Sequence, residues 1–352
     1  MACSSRRYSL AVALIWTLSL SGCAAGRGAP PLPAPQVVPL PAIIAHRGGT
    51  GDAPENTLEA IRRTVAHRAD AIWLTVQMSK DGVPVLYRPA DLSELTPVSG
   101  AVAGYTAAEL AHINAGWNFK DADGSYPYRS RAVGIPTLRD ALRAIPRRVP
   151  VMLDMKALPA EPQTAAVAKV LNDEAAWSRV MIYSTEAAYQ SAFAAYPQAR
   201  LFELRNMTRD RLLNVLLGDR CENAPAAPVW TGFELHRTVS VVEKYTLGEG
   251  VSQVNATMWT PKTVGCFRRR AAVRILAIAV NDANSYRMAA CLGVNAVLSD
   301  SPRRMAQIRA ALRTQAFGCA PSGPSCGRRL HPGHQTAMLS GCRIGGRSAA
   351  VR

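Results

Sequence analysis

Residues 71–89 read AIWLTVQMSKDGVPVLYRP. Two apolar, β-branched runs, AIWLTV and VPVLY, flank the turn SKDG, so the stretch predicts two barrel strands joined by that turn. Their ends carry Trp73, Thr75 and Arg88, with no acid and no histidine. A short way upstream lie IIAHRGG (43–49) and APENT (53–57), two polar clusters of the composition that phosphate chemistry uses. One half of a polar site is therefore written clearly, and the other half holds residues that cannot bind a metal ion.

Outward from this block, short apolar strands alternate with amphipathic helical segments. PAIIAHR, VPVMLDMK, RVMIYS, ARLFEL, VWTGFELH, VSQVNATM, VRILAIAV and NAVLSD read as strands. NTLEAIRRTVAHR, IPTLRDALRAI, TPKTVGCFRRRAA and SPRRMAQIRAAL are among the helices. Helical spacing of Leu58, Ile61 and Val65, with Asn56 or Thr57 at the start, supports the first helix. Pro136 and Pro302 suit first-turn positions. This alternation over residues 41–315 predicts an α/β fold, a (β/α)8 TIM barrel, with a polar, Tyr-rich insertion at about 90–134. A doubly wound open sheet is the alternative, weakened by the lack of GxGxxG after the first strand. In a barrel the C-terminal strand ends form the active face. His46, Arg47, Arg88, Asp154, Lys156, Glu203 and Asp300 are therefore expected in one bowl.

The chain has 352 residues, 41 basic and 25 acidic, for a net charge of +16. Residues 1–30 carry +3 and residues 316–352 carry +5, each without an acid, which leaves +8 for the middle. Such a balance suits a phosphorylated ligand or anionic lipid. No helix-turn-helix, zinc-finger or aromatic-basic strand pattern is present, so no nucleic-acid partner is expected.

MACSSRRYSLAVALIWTLSLSGC has an Arg pair and an apolar run, Leu10–Leu20, about half as long as a bilayer requires. Residues 1–23 thus read as a signal peptide. Leu20-Ser21-Gly22-Cys23 resembles a bacterial lipobox, which makes Cys23 the expected lipidation site and the membrane a partner through that anchor. The alternative is an ordinary signal peptide with an incidental cysteine. Ala24 follows rather than aspartate, which by analogy with lipoprotein sorting implies the outer membrane, facing the periplasm. Residues 24–40 read as a Pro/Ala tether and residues 316–352 as a basic tail without a packed core.

Six cysteines remain after Cys3 and Cys23, and no CxxC pair occurs, so zinc is poorly supported. Cys221–Cys266 is a candidate disulfide. In the alternative reading Cys266 and Cys291 are small buried hydrophobes.

IIAHRGG, APENTLEAI, the block 69–85, IPTL, VMLDMK and GVNAVLSDSP, in that order over roughly residues 43–303, resemble the glycerophosphodiester phosphodiesterase family. The resemblance implies a TIM barrel with a small insertion. It implies that His46 is a catalytic acid/base, that Arg47 contacts phosphate, and that Glu55 and Asn56 line or brace the site. It puts Trp73 and Thr75 where the family has a metal-binding glutamate and aspartate, and Arg88 in place of the second catalytic histidine. Asp154 stands for a further metal-binding glutamate, Lys156 is its retained companion, Ile278–Asn281 replace a Trp-Thr-Val-Asn segment, and Asp300 is retained.

A hard cation such as Ca²⁺ or Mg²⁺ needs several oxygen ligands. Trp73 offers none and Thr75 one neutral oxygen, so Glu55 and Asp154 make at most a weak, incomplete metal site. Arg88 cannot exchange protons near neutral pH, but it supplies a fixed charge and a fork for phosphate. The expectation is a pseudoenzyme-like bowl. It binds a glycerophosphodiester, or a related small phosphodiester or lipid headgroup, with Arg47, Arg88 and Lys156 on the phosphate and with weak or lost catalysis. An active phosphodiesterase using Ca²⁺ or Mg²⁺, yielding sn-glycerol 3-phosphate and an alcohol, is one alternative. An inert barrel acting through envelope protein contacts is another. Trp73 reads as a plug of the barrel mouth or a stacking wall, Asp154–Lys156 as an ion pair, and Tyr126, Tyr128 and Arg129 as a lid.

Overall fold

The computed structural model describes residues 38–314 and 317–319. The signal peptide, Cys23, all of the tether but residues 38–40 and all of the tail but residues 317–319 lie outside the described residues.

The elements in order are β1 (Ala42–Ala45), α1 (Leu58–Ala66), β2 (Ala71–Met78), β3 (Pro84–Leu86), α2 (Ala107–His112), α3 (Leu138–Ala144), β4 (Val151–Met155) and α4 (Ala160–Asp173). They continue with β5 (Val180–Tyr183), α5 (Ala188–Phe193), α6 (Arg205–Gly218), β6 (Trp230–Glu234), β7 (His236–Tyr245) and β8 (Gly248–Thr257). The last are α7 (Pro261–Phe267), β9 (Arg274–Ile278), α8 (Ala283–Cys291), β10 (Ala296–Ser299) and α9 (Pro302–Thr314).

Seven strands form a curled parallel sheet in the order β5-β4-β2-β1-β10-β9-β6. Two residues close it. Leu201 bridges to Ile182 of β5, and Phe202 bridges to Trp230 of β6, both parallel. The eighth stave of the (β/α)8 barrel is thus this short piece of ARLFEL.

Two expected staves prove otherwise. VPVLY supplies only β3, which pairs antiparallel with β2, Val76 opposite Leu86. VSQVNATM belongs to β8, which pairs with β7 over ten residue pairs, His236 with Thr257 through Tyr245 with Gly248. This hairpin is a ribbon on the segment between β6 and α7. Both sequences alternate like barrel strands because pairing in any sheet demands it.

Alternation also sorts the core. Ile72, Leu74 and Val76 of β2 face outward and pack under α3 and α4 with Leu138, Leu142 and Val167. Ala71 and Trp73 face the lumen with Ile44, Met152, Met181, Tyr183, Phe202, Leu276 and Leu298. Segment 87–137 has its own small core of Tyr87, Leu92, Val102, Leu110 and Ile135. α1 starts where Thr57 accepts the N–H of Ala60, so Thr57 is the cap and Asn56 is free for the site. Pro136 precedes the Thr137 cap of α3 rather than opening the helix, whereas Pro302 is the first residue of α9.

The candidate disulfide Cys221–Cys266 forms, and Cys291 bonds Cys319. Neither Cys266 nor Cys291 is a simple buried hydrophobe.

Candidate phosphodiester site

β1 delivers His46 to the upper rim of the barrel and then turns sharply. Arg47, Gly48 and Gly49 have φ of +50°, +79° and +101°. A Cβ on Gly49 would stand 2.7 Å from Thr64 Oγ1, so both the backbone angle and the space require glycine. The turn returns two N–H groups, of Gly49 and Thr50, to the His46 carbonyl.

His46 Nδ1 lies 2.7 Å from Asp300 Oδ1 at the end of β10. Asn281 donates its amide to Asp300 Oδ2 at 2.7 Å and accepts the Asp300 N–H and the Ser299 hydroxyl on Oδ1, each at 2.8 Å. That pattern fixes the amide's orientation. His46 foremost, with help from Asn281 and the Arg47 charge, holds the Asp300 carboxyl below its usual range. An ionised Asp300 only accepts, so the imidazole proton sits on Nδ1 and Nε2 is left for the bowl.

Arg47 donates to Glu55 Oε2 at 2.6 Å, and Thr50 donates to the same oxygen at 3.1 Å. Asn56, itself at φ +58°, accepts the Thr75 N–H at 2.9 Å. APENT is thereby tied to the mouth of β2. Thr75 stands level with Asp154 on β4, and Asp154 level with Tyr183 on β5. Lys156 Nζ lies 3.1 Å from Asp154 Oδ1, an ion-pair distance without hydrogen-bond alignment. Burial pushes the Asp154 carboxyl up, opposed by Lys156, His46 and Arg47. Four of the five buried side-chain polar atoms left without a hydrogen bond among the described residues belong here: Glu55 Oε1, Asn56 Nδ2, Thr75 Oγ1 and Asp154 Oδ1. Unsatisfied buried polar atoms are costly, and their clustering marks a place built for a polar ligand or water.

The expected wall residues divide. His46, Arg47, Glu55, Asn56, Thr75, Asp154 and Lys156 come together as described. Arg88 is exposed on the loop after β3 and has no ion pair among the described residues. Gln77, on the same face of β2 as Thr75, donates to the carbonyls of Tyr87 and Pro89 at 3.2 and 2.7 Å, which clamps that loop at the rim. Glu203 does not enter the bowl. Its carboxylate turns under α6, accepting Arg211 and Thr208 at 2.8 Å, because Phe202 takes the lumen and the next residue must face outward. Tyr128 is not a lid residue: it is 1% exposed, it packs edge-on to Phe119, and its ring excludes any side chain at Gly116 beside Pro54. Tyr126 and Arg129 stack on each other at the surface of the insertion, 4.0 Å from guanidinium to ring.

The opposite wall was missed in the sequence. Arg205 grips Glu234 through two 2.7 Å bonds and donates to Tyr183 at 3.3 Å. Burial pushes the Tyr183 phenol up. The only signal for Glu234 was its position at the end of a strand. Arg205 gave none, because it opens a helix.

A Ca²⁺ or Mg²⁺ ion fits this donor set poorly. Trp73 is 3% exposed and wedged against Tyr183 and Phe202, with centroids at 4.8 and 6.0 Å. Thr75 is neutral. Asp154 already faces an ammonium, and Glu55 a guanidinium. A divalent ion would meet two carboxylates each compensated by a fixed cation, where hard cations need several free oxygens.

The profile of the Glycerophosphoryl diester phosphodiesterase family matches residues 46–304. The uncharacterized protein Rv2277c of Mycobacterium tuberculosis is 45% identical over 270 residues, covering 76% of this chain and 90% of that protein. The crystal structure of the glycerophosphoryl diester phosphodiesterase domain of Rv2277c superposes with a TM-score of 0.72 at 44% identity, covering 77% of this chain and 100% of that one. An Oleispira antarctica phosphodiesterase, solved with the product sn-glycerol-3-phosphate, shares the fold at TM-score 0.56 and 21% identity, over 77% of this chain and 97% of that one. The chain belongs to the glycerophosphoryl diester phosphodiesterase family.

Proposed function

We propose that the bowl binds a phosphodiester of the glycerophosphodiester class without a divalent metal, and that metal-dependent hydrolysis is weak or lost. The observation that carries this reading is Lys156 Nζ, 3.1 Å from Asp154 Oδ1. A fixed ammonium stands against the one strand carboxylate that remains at the family's metal position, and Trp73 and Thr75 take the other two positions. Arg47 and Lys156 face the phosphate, and Arg88 supplies a fork from the rim. The orphaned oxygens of Glu55 and Asp154 accept hydroxyl groups of the ligand. The four described cysteines are all in disulfides, which supports an oxidising compartment. We place the protein in the bacterial envelope, anchored through Cys23 and facing the periplasm. Calorimetry with glycerophosphodiesters tests the reading: no binding at millimolar concentration would end it.

A second reading has its own observation. The chain Asn281–Asp300–His46 is complete and holds a proton on Nδ1, as a general base or acid requires. On this reading the protein retains phosphodiesterase activity through His46, with Arg47 and Lys156 stabilising charge on the phosphoryl oxygens. A turnover assay with Ca²⁺, Mg²⁺, Mn²⁺ or chelator, run beside a His46→Ala control, separates the two.

A further inference from the structure

The two ends of the barrel carry opposite charge. The segments that lead into the staves (67–70, 145–150, 174–179, 194–200, 219–229, 268–273 and 292–295) hold nine arginines, no lysine and four acids. The segments that follow the staves (46–57, 79–137, 156–159, 184–187, 203–204, 235–260, 279–282 and 300–301) hold nine basic residues and fourteen acids. The family motifs account for neither count. The surplus of arginine lies at the end opposite the bowl.

Arg68, Arg147, Arg148, Arg269 and Arg270 are exposed, and none has an ion pair among the described residues. Arg200 is exposed as well, but its guanidinium donates to the carbonyls of Ser178 and Val180. Unpaired like charges on one face repel one another, and an anionic partner relieves that repulsion.

Both ends of the described chain lie at this same face. Pro41, whose carbonyl accepts the Tyr286 hydroxyl, leads directly into the lower end of β1. α9 descends from the rim, and Cys319 is bonded to Cys291 at the lower end of α8. Residues 24–37, which follow the signal peptide, carry Arg27 and no acid, and the following residues 320–352 carry five arginines and no acid. Beyond the signal peptide, the sequence on either side of the described residues is therefore basic.

We infer that the stave-entry face is a docking surface for an anionic phospholipid bilayer, with the bowl turned away from it. Guanidinium forks match lipid phosphate oxygens. The arginines come from separate loops around a closed barrel end, which suits a broad charged surface. The described cysteines are all oxidised, which disfavours a compartment that holds nucleic acid. The fourteen-residue α4 sets the bowl about 20 Å from this face, beyond a Debye length of about 10 Å, so the surface neither neutralises nor blocks the site. The ligand of the bowl is then taken from the soluble phase rather than from the bilayer that holds the protein. The inference concerns a face away from the bowl and stands whether or not the site reading does.

The test is co-sedimentation of the chain from residue 24 onward, without signal peptide or lipid anchor, with vesicles of phosphatidylcholine alone or with roughly one-third phosphatidylglycerol, at low salt. Binding should require phosphatidylglycerol. Each exposed arginine should contribute roughly fivefold. The variant Arg147→Gln/Arg148→Gln/Arg269→Gln/Arg270→Gln should lose partitioning by roughly 600-fold, while Lys80→Gln/Lys120→Gln on the other end should bind as the parent does. Circular dichroism confirms that both remain folded. Equal binding to phosphatidylcholine alone, an unchanged quadruple variant, or equal loss in the lysine pair would each overturn the inference. So would tighter binding to duplex DNA at the same salt, which would assign the face to nucleic acid.

Discussion

Lys156 and Asp154 lie two residues apart on one inward face at the mouth of β4, with the ammonium 3.1 Å from the carboxylate. The pair puts a permanent, non-exchangeable cation beside the carboxylate that a metal would need. Much of the behaviour expected of this protein follows from it.

The Asp154 carboxyl is raised above its ordinary value of 3.8, chiefly by burial. A carboxyl that is harder to ionise in the folded state opposes folding once the pH rises past the unfolded value. Asp154→Asn should therefore be more stable than the parent at pH 7, and the gain should shrink as the pH falls toward 3.8. Urea unfolding at the two pH values measures it. A variant less stable at neutral pH would show that the pair, rather than the cost of burial, dominates.

Asp300 behaves in the opposite sense. Its carboxyl is lowered, first by His46, so the pair stabilises the fold above pH 3.8 and loses that contribution as the pH falls through the lowered folded value. Asp300→Asn should cost stability at pH 7 and approach the parent in strong acid. It should also release the imidazole proton from Nδ1, which nitrogen-15 spectroscopy of His46 reports directly.

Arg88 has no ion pair among the described residues, and Gln77 holds its loop. Loss of a charged hydrogen-bond donor to a bound phosphate costs about 1.5–3 kcal/mol. Arg88→Ala should weaken glycerophosphodiester binding by about tenfold or more without changing stability, and Arg88→Lys should recover part of it. Calorimetry and thermal unfolding on the same samples distinguish this from a general loss of fold.

Glu203 provides the complementary control. Its partner Arg211 is 4% exposed. Arg211→Leu leaves a buried carboxylate uncompensated and should cost about 3–5 kcal/mol. Ligand affinity of the folded fraction should not change, because neither residue faces the bowl.

The sequence carried the barrel and the near wall of the site, because HRGG, APENT and the β2 block depend on local turns and alternation. It hid the eighth stave, since Leu201 and Phe202 are held only by bridges to their neighbours. It misplaced Glu203 because a strand end does not say which face a residue takes, and Phe202 had already claimed the lumen. Arg205, Glu234 and Tyr183 meet only through barrel closure, a relationship between distant segments. Trp73 and Thr75 were legible as departures from the family pattern. Their physical meaning needed the lumen aromatics and the Lys156–Asp154 pair.

On the proposed reading, the bowl holds its ligand without a divalent ion. Titration of the purified chain with a glycerophosphodiester, once with Ca²⁺ and once with excess chelator, addresses it most directly. The same Kd is expected in both, with no chelator-sensitive turnover. Binding or turnover that the chelator abolishes and Ca²⁺ restores would contradict it.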